Sequence, residues 1–536
     1  MDDSAEPQPQ TSSTAQSVAR AGGIMVASLF LSRVLGMVRS MIMAHQFGQT
    51  DFTDAYVLAF TIPDLLFYLI SAGSISSVFI PVFTEYLHTG RERDAWKTFS
   101  VVATAMALLV SVFIALSWIF APNLAHYVAG QKSEVVQANV ELMSRIVVPT
   151  QFAFLVGGLV VGTLYARKVF AIPGLAPNIY NLGIIFGALV LSRFVTPGVS
   201  GMAWGALAGS FVGSLFLPLW MMHKVGGHYR PSLDFKDEGA KKVFKLMLPI
   251  IFGMSLPSIF PIITRYFVTY YPEGTNTAME FSNQIMQAPL GVFGQSLALA
   301  VAPALSEFLA TQQMDKFRTQ FSLTLRNVIF LTVPFTALFG VFAQPIARAL
   351  FEYGKSGPED TARTAVCVSA AGIGVFAWCM QPVLMRGYFS LQNTIRPILW
   401  GTICTALYLI GSYAVVSQKM PFYYLPAWAS VCAIVLAILM YVDLGRQVGD
   451  LDTPAVLTTL GKSFVAAAVG GAVLWGANQI IPANTAGLGK LTAIGLIGLF
   501  AIGFGWVYYF MARLLKMPET AYLDRALAKL DRRKKA

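Results

Sequence analysis

Charge is scarce in this chain. Only 12% of its 536 residues are Asp, Glu, Lys or Arg, about half the share of an ordinary soluble domain. A surface that poor in charge excludes a water-exposed globule. Histidine is rarer still: His45, His88, His126, His223 and His228 are scattered and form no HExxH pair. The four cysteines, Cys367, Cys379, Cys404 and Cys432, lie in apolar stretches without CxxC or metal-type spacing, which argues against a disulfide framework or a zinc site. GDLDTP at 449–454 holds a lone DxD, and AGIGV at 371–375 sits inside an apolar run instead of following a strand. Nothing here supplies clustered acids, a nucleophile with its base, or a phosphate loop. We therefore expect no enzyme, no metal and no cofactor.

What is abundant is apolar sequence: 56% of residues are hydrophobic and the mean hydropathy is +0.62. A bilayer-spanning helix needs about 20 apolar residues. Fourteen candidates follow, at roughly 22–46, 54–84, 98–121, 137–165, 171–193, 200–222, 243–271, 277–305, 325–350, 364–390, 396–416, 424–443, 460–481 and 489–512. Residues 1–20 are polar, and the first apolar run is long enough to stay in the membrane, so a cleaved leader is not expected. With the N-terminus inside, 27 of the 38 Lys and Arg fall in cytoplasmic segments and seven in outer ones, the asymmetry of the positive-inside rule. The net charge of +11 is thus explained by topology and anionic lipid, with no nucleic acid implied.

The chain also repeats itself. PVFTEYL at 81–87 returns as PALSEFL at 303–309, and GTLYARKVFAIP at 162–173 returns with one gap as GYFSLQNTIRP at 387–397. The offset covers six spans, an even number, so both halves share one orientation. Parallel repeats are a transporter pattern with the site near the midplane. The fold class expected is an all-α polytopic membrane protein of about 14 transmembrane helices, two six-helix lobes plus two C-terminal helices. Its segments are a disordered tail (1–21), an N-lobe (22–222), a cytoplasmic linker (223–242), a C-lobe (243–446), two further spans (447–512) and a basic tail (513–536). Gly201, Gly205, Gly209 and Gly213 form one helical stripe that lets a neighbouring backbone approach. Prolines 63, 149, 249, 257, 261 and 289 mark bends.

Four basic residues remain inside spans: Arg33, Arg39, Arg145 and Arg265. A charge at mid-bilayer costs roughly 2.5–3.5 kcal/mol on insertion scales and is retained where it meets a cavity or a partner. Arg33 and Arg39 stand about 120° apart around one helix. Guanidinium forks match phosphate oxygens two at a time, so such a group suits a diphosphate better than a cation. Arg265 has Glu273 and Glu280 within reach. Asp54, beside Thr53 in TDAY, is a helix cap, a gate that meets an arginine, or both.

SRVLGMVRSMIMAHQFG, TDAYVLAFTIPDLL and SSVFIPVFTEY, with FAIPGLAPNIYN, QAPLGVFGQSLALAVAPALSEF, ALFEYGKS and GYFSLQNTIRPI, resemble the MurJ (MviN) family of bacterial lipid II flippases. That family belongs to the MATE/polysaccharide-exporter superfamily. The resemblance spans roughly residues 22–510. It implies movement of the undecaprenyl-diphosphate-linked peptidoglycan precursor from the inner to the outer leaflet of the bacterial cytoplasmic membrane by alternating access, with both termini cytoplasmic. It implies substrate contacts at Ser32, Arg33, Arg39 and Arg145 and a gating role for Asp54. Partners would be the glycolipid, anionic membrane lipids and the cell-wall synthesis machinery.

The chain departs from the family at Phe67 (arginine in many relatives), Ala72 (glutamate in many), and Asn283, Gln284 and Gln287, which replace charged residues of the eighth span. Arg265 is expected to restore part of the lost positive charge as a further substrate contact. These departures keep open a flippase for another polyprenyl-diphosphate-linked glycan. A MATE-type cation or drug antiporter would need acids where arginines stand. A polyprenyl-phosphate glycosyltransferase would need an acidic or histidine cluster at the inner face, and a non-transporting scaffold would be indifferent to loss of the arginines. No ATP site is visible, so the expected drive is an ion gradient, consumption of the product, or a membrane potential worth about 2.3 kcal/mol per charge at 100 mV.

Overall fold

The computed structural model describes residues 11–71, 78–247, 259–480, 490–521 and 523–524. Among them there is no strand, as the long uninterrupted apolar runs require: in lipid every backbone group must be satisfied within its own segment. Among the described residues eleven helices are long and apolar enough to cross a membrane, and a bent pair, Pro358–Gly372 with Val375–Ser390, makes twelve if it is one span. The chain is a multi-pass membrane protein. Two expected spans, 54–84 and 243–271, each include residues outside the described set, as do Pro249 and Pro257, so the count of fourteen is not reached by these helices alone.

Two compact units emerge. The first comprises Met1–Ile42 and Leu58–Ser255, the second Met43–Val57 and Leu256–Ala536. The sequence reading puts a linker at 223–242 and the start of the C-lobe at 243, whereas Ala240, Val243 and Met247 pack into the core of the first unit. The structure adds that residues 43–57, read from sequence as part of the N-lobe, pack with the second unit.

The first unit contains α1 (Thr11–Phe47, up to Ile42), α2 (Asp51–Ala59, its end), α3 (Thr61–Ser71), α4 (Ile80–His88), α5 (Glu92–Ile119), α6 (Ala121–Ala129), α7 (Glu134–Val147), α8 (Thr150–Ala166), α9 (Ala171–Leu189), α10 (Ser200–Ser210) and α11 (Leu217–Lys224). Helix α1 starts at Thr11, inside the segment 1–21 expected to be a disordered tail. An aromatic core of Phe79, Phe83, Trp96 and Phe99 joins α4 to α5, with ring centroids 5.1–6.2 Å apart.

The glycine stripe meets a second stripe. Gly183 and Gly187 on α9 face Gly201, Gly205 and Gly209 on α10, backbone against backbone. A Cβ on Gly183 would stand 2.6 Å from the Gly205 carbonyl oxygen, inside van der Waals contact. With lipid as solvent there is no hydrophobic drive between helices, so this close approach is what binds the pair. Gly183→Val is expected to destabilise the protein by about 3 kcal/mol through overpacking, read as a lowered thermal midpoint in detergent. Gly503→Ala on the last helix, where a Cβ meets open space, serves as the unchanged control.

The second unit contains residues 43–57, then α12 (Phe260–Val268), α13 (Thr275–Pro289), α14 (Ser296–Ala310), α15 (Met314–Phe351), α16 (Pro358–Gly372), α17 (Val375–Ser390), α18 (Ile395–Ser417), α19 (Tyr424–Val448), α20 (Thr453–Ile480) and α21 (Lys490–Leu514). The final two helices are fastened to α15. Leu338 and Phe342 pack with Leu474 and Phe504, and the Tyr508 hydroxyl donates to the Phe330 carbonyl at 2.8 Å. At one end Arg326 pairs with buried Glu519 at 2.6 Å, and Thr459 donates to the same carboxylate at 2.8 Å.

The repeat is also a repeat of turns. After PVFTEYL, the Arg91 amide reaches back to the Tyr86 carbonyl and Gly90 takes a φ of +72°. After PALSEFL, Gln313 reaches back to Phe308 and Gln312 takes +56°. The second pair behaves alike, with Val169 to Leu164 around Lys168, and Asn393 to Tyr388 around Gln392. Each closure is a Schellman-type stop that satisfies the last carbonyls of its helix.

Candidate functional site

Within the first unit, α1 lies along α9 through a polar ladder set in apolar sequence. Ser28 donates to the Gly174 carbonyl, and the Asn178 amide donates to Ser28 Oγ at 2.6 Å. One turn further, Asn181 Nδ2 donates to the Ser32 carbonyl (3.3 Å), to Ser32 Oγ (3.2 Å) and to the Pro177 carbonyl (3.0 Å). With its nitrogen held there, the Asn181 carbonyl oxygen turns to Arg39 and accepts from Nη1 at 3.3 Å. The bond to Pro177 is a back-bond onto the preceding turn of α9 that fixes the rotamer of the carboxamide.

Ser32 and Arg39 are thus brought onto one network, and Arg33 follows Ser32, half-buried. The residues that sequence reasoning missed are Ser28, Asn178 and Asn181. Their signal was present in FAIPGLAPNIYN: two carboxamides three residues apart inside an apolar helix demand partners from a neighbour.

Arg145 on α7 is held differently. Its Nη2 pairs with Glu141, one turn earlier, at 2.8 Å, and its carbonyl accepts from Trp118 Nε1 at 2.9 Å. Arg145 lines a cavity of about 580 Å³ whose apolar walls include Trp118, Leu142, Ile146, Pro149, Trp204 and Leu207. Phe67, where many family members carry arginine, is partly exposed and packs edge-on against Phe154, ring centroids 6.3 Å apart.

Within the second unit, Asp54 is fully buried. The sequence offered it as a cap for its own helix or a gate. Thr53 serves the local end instead, its Oγ accepting from the Thr50 amide at 2.8 Å. The Asp54 carboxylate caps a different helix, α13. Oδ2 accepts from the Gly274 amide at 2.9 Å, and Oδ1 accepts from the Thr277 amide at 2.9 Å and the Thr277 hydroxyl at 2.8 Å. Gly274 stands at the helix start with a φ of +78° and has no side chain to cap with, so the acceptor arrives from elsewhere in the chain. A negative charge there also faces the positive end of the helix dipole.

The rest of the 43–57 segment is fixed to the same unit. Gln49 Nε2 donates to the Asp360 carbonyl (3.0 Å) and to Thr364 Oγ1 (2.6 Å), and the Lys355 amide donates to the His45 carbonyl (2.9 Å). Lys355 belongs to the ALFEYGKS stretch, which thereby acquires a structural task.

Arg265 lies half-buried on α12, next to Thr264, whose hydroxyl is 2.9 Å from that of Tyr408. On α13, Asn283 is exposed and Gln284 and Gln287 are half-buried. Ala72 lies outside the described residues. No group of three or more His, Cys, Asp or Glu suited to a metal occurs among the described residues. Each cysteine is buried and free.

A family model described as "Lipid II flippase MurJ" matches residues 43–494. The chain is 28% identical over 497 residues to a probable lipid II flippase MurJ of Vibrio cholerae, covering 90% of this chain and 93% of that one. It is 27% identical over 380 residues to the lipid II flippase MurJ of Burkholderia cenocepacia, covering 69% and 72%. Among solved structures it superposes on a lipid II flippase MurJ in an inward closed conformation with a TM-score of 0.75 at 20% identity, covering 92% of this chain and 99% of the other. An inward-facing multidrug resistance MATE family transporter of the MOP superfamily matches with a TM-score of 0.59 at 15% identity, covering 78% and 99%. These two likenesses establish the helical transporter fold.

Proposed function

The chain belongs to the lipid II flippase MurJ family, and from that premise we propose that it carries lipid II from the inner to the outer leaflet of the bacterial cytoplasmic membrane by alternating access. In the first unit Arg33 and Arg39, with Ser32 beside them, are the residues that receive the diphosphate of the cargo, and in the second unit Arg265 is a separate contact for it, while the polyprenyl tail stays in the bilayer. Asp54 holds the start of α13 in register. Arg145, whose charge is balanced by Glu141 at 2.8 Å, does not suit a net-anionic diphosphate and is left out of this set.

The observation that supports the mechanism best is the orientation of Arg39. A guanidinium within an apolar span is aimed by an asparagine whose own nitrogen is saturated by α1 and α9. An amide partner orients the fork without cancelling its charge, so the positive charge remains for an anion.

The test is rescue of a strain depleted of its own lipid II flippase, with outer-leaflet lipid II measured by its accessibility to a membrane-impermeant probe. Growth with wild-type accessibility is the expected result. Inside accumulation despite good expression would favour another polyprenyl-diphosphate-linked glycan, the second reading that Phe67, Asn283, Gln284 and Gln287 support. In the same assay Arg265→Ala is expected to lose transport at least tenfold. Unchanged rescue would remove Arg265 from the substrate set.

A further inference from the structure

The cavity beside Arg145 lies between three membrane helices. Trp118 lies one residue before the end of α5, Trp204 is the fifth residue of α10, and Arg145 stands on α7. Trp118 and Trp204 are about half exposed, and tryptophan at that level of a span marks the membrane–water interface. The volume falls in the range of about 300–1,000 Å³ typical of small-molecule sites.

Arg145 and Pro149 line the cavity, and Glu141, outside the lining, borders it through its 2.8 Å pair with Arg145. Glu141, Arg145 and Pro149 follow at four-residue intervals on one face, each about 6 Å deeper than the last. From the aqueous end inward, the face presents a carboxylate, then a guanidinium, then apolar wall.

We propose that this cavity binds one molecule of a zwitterionic phospholipid whose ammonium carries N–H groups, an ethanolamine phospholipid of the surrounding bilayer that is not transported. Such a lipid stacks an ammonium over a phosphate over acyl chains. The ammonium donates to Glu141, the phosphate accepts from Arg145, and a chain lies along Leu142, Ile146 and Leu207. Glu141 bonds Nη2 of Arg145, and a guanidinium has five N–H donors, so a second acceptor is served without breaking the pair. A purely anionic head group would bring its phosphate to the same arginine but leave Glu141 facing negative charge. A quaternary ammonium offers Glu141 no hydrogen bond.

The test is native mass spectrometry of the full-length protein, released from mixed micelles containing equal amounts of phosphatidylethanolamine, phosphatidylglycerol and phosphatidylcholine of matched chains. One phosphatidylethanolamine retained in at least threefold preference over each of the others is expected. Arg145→Ala should lower its retention about tenfold, and Glu141→Gln should bring the ethanolamine-to-glycerol ratio toward one. Equal retention of the three lipids by the wild-type protein, a preference for phosphatidylglycerol or phosphatidylcholine, or a preference that both variants keep would each overturn the assignment. The wild-type competition decides the matter even where a variant fails to fold.

Discussion

Arg39→Ala is expected to reduce lipid II translocation about 100-fold in the depletion strain. The substitution removes a charge-assisted fork worth about 3 kcal/mol in a water-poor site, and each 1.4 kcal/mol is a factor of ten. A graded series separates charge from geometry. Arg39→Lys keeps the positive charge but loses the planar fork, so an intermediate rate is expected. Asn181→Ala keeps the guanidinium and removes the oxygen that aims it, with a loss of about tenfold. Asn181→Asp sets a carboxylate where that oxygen now lies, 3.3 Å from Nη1, and neutralises the arginine, so its loss should approach that of Arg39→Ala. Outer-leaflet lipid II, normalised to protein level, is the measurement. Wild-type rates in both Arg39→Ala and Asn181→Asp would remove this side chain from any contact with the diphosphate.

Asp54→Ala is expected to lower the stability of the purified protein by about 3 kcal/mol, a fall of about 3 °C in the thermal midpoint. Three donors, two backbone and one hydroxyl, lose their acceptor in a fully buried place, and an unsatisfied buried donor costs more than a bond contributes. Asp54→Asn is expected to recover part of the loss, because one amide oxygen can still accept at the helix start while the amide nitrogen faces a donor. Thermal unfolding in detergent, followed by tryptophan fluorescence, measures both. If Asp54→Asn and Asp54→Ala unfold at the wild-type temperature yet fail to transport, the carboxylate acts as a moving charge and the capping role assigned to it fails.

These two residues also mark how far sequence alone reaches. Arginine in an apolar run is conspicuous in one dimension, because the cost of burying a charge in hydrocarbon depends on composition and depth, both readable along the chain. The same holds for the helical class, for the repeat, and for the glycine stripe on α10, which announces a close neighbour. The neighbour's identity does not follow, since Gly183 and Gly187 on α9 become meaningful only when two backbones touch. Asp54 was legible as a cap, but a capping carboxylate reads the same whether the amides it meets are three residues or some 220 residues away.

By itself, then, the sequence determined that this is a helical membrane protein of two related halves with positive charge kept inside apolar spans, because those properties follow from local composition and spacing. Tertiary structure alone decided that Asn181 orients Arg39, that Glu141 engages Arg145, that Asp54 closes the end of α13 and that residues 43–57 pack with the second unit. Each of these is a hydrogen bond, an ion pair or a packing choice fixed by three-dimensional proximity, and the side-chain chemistry of one partner does not specify the other.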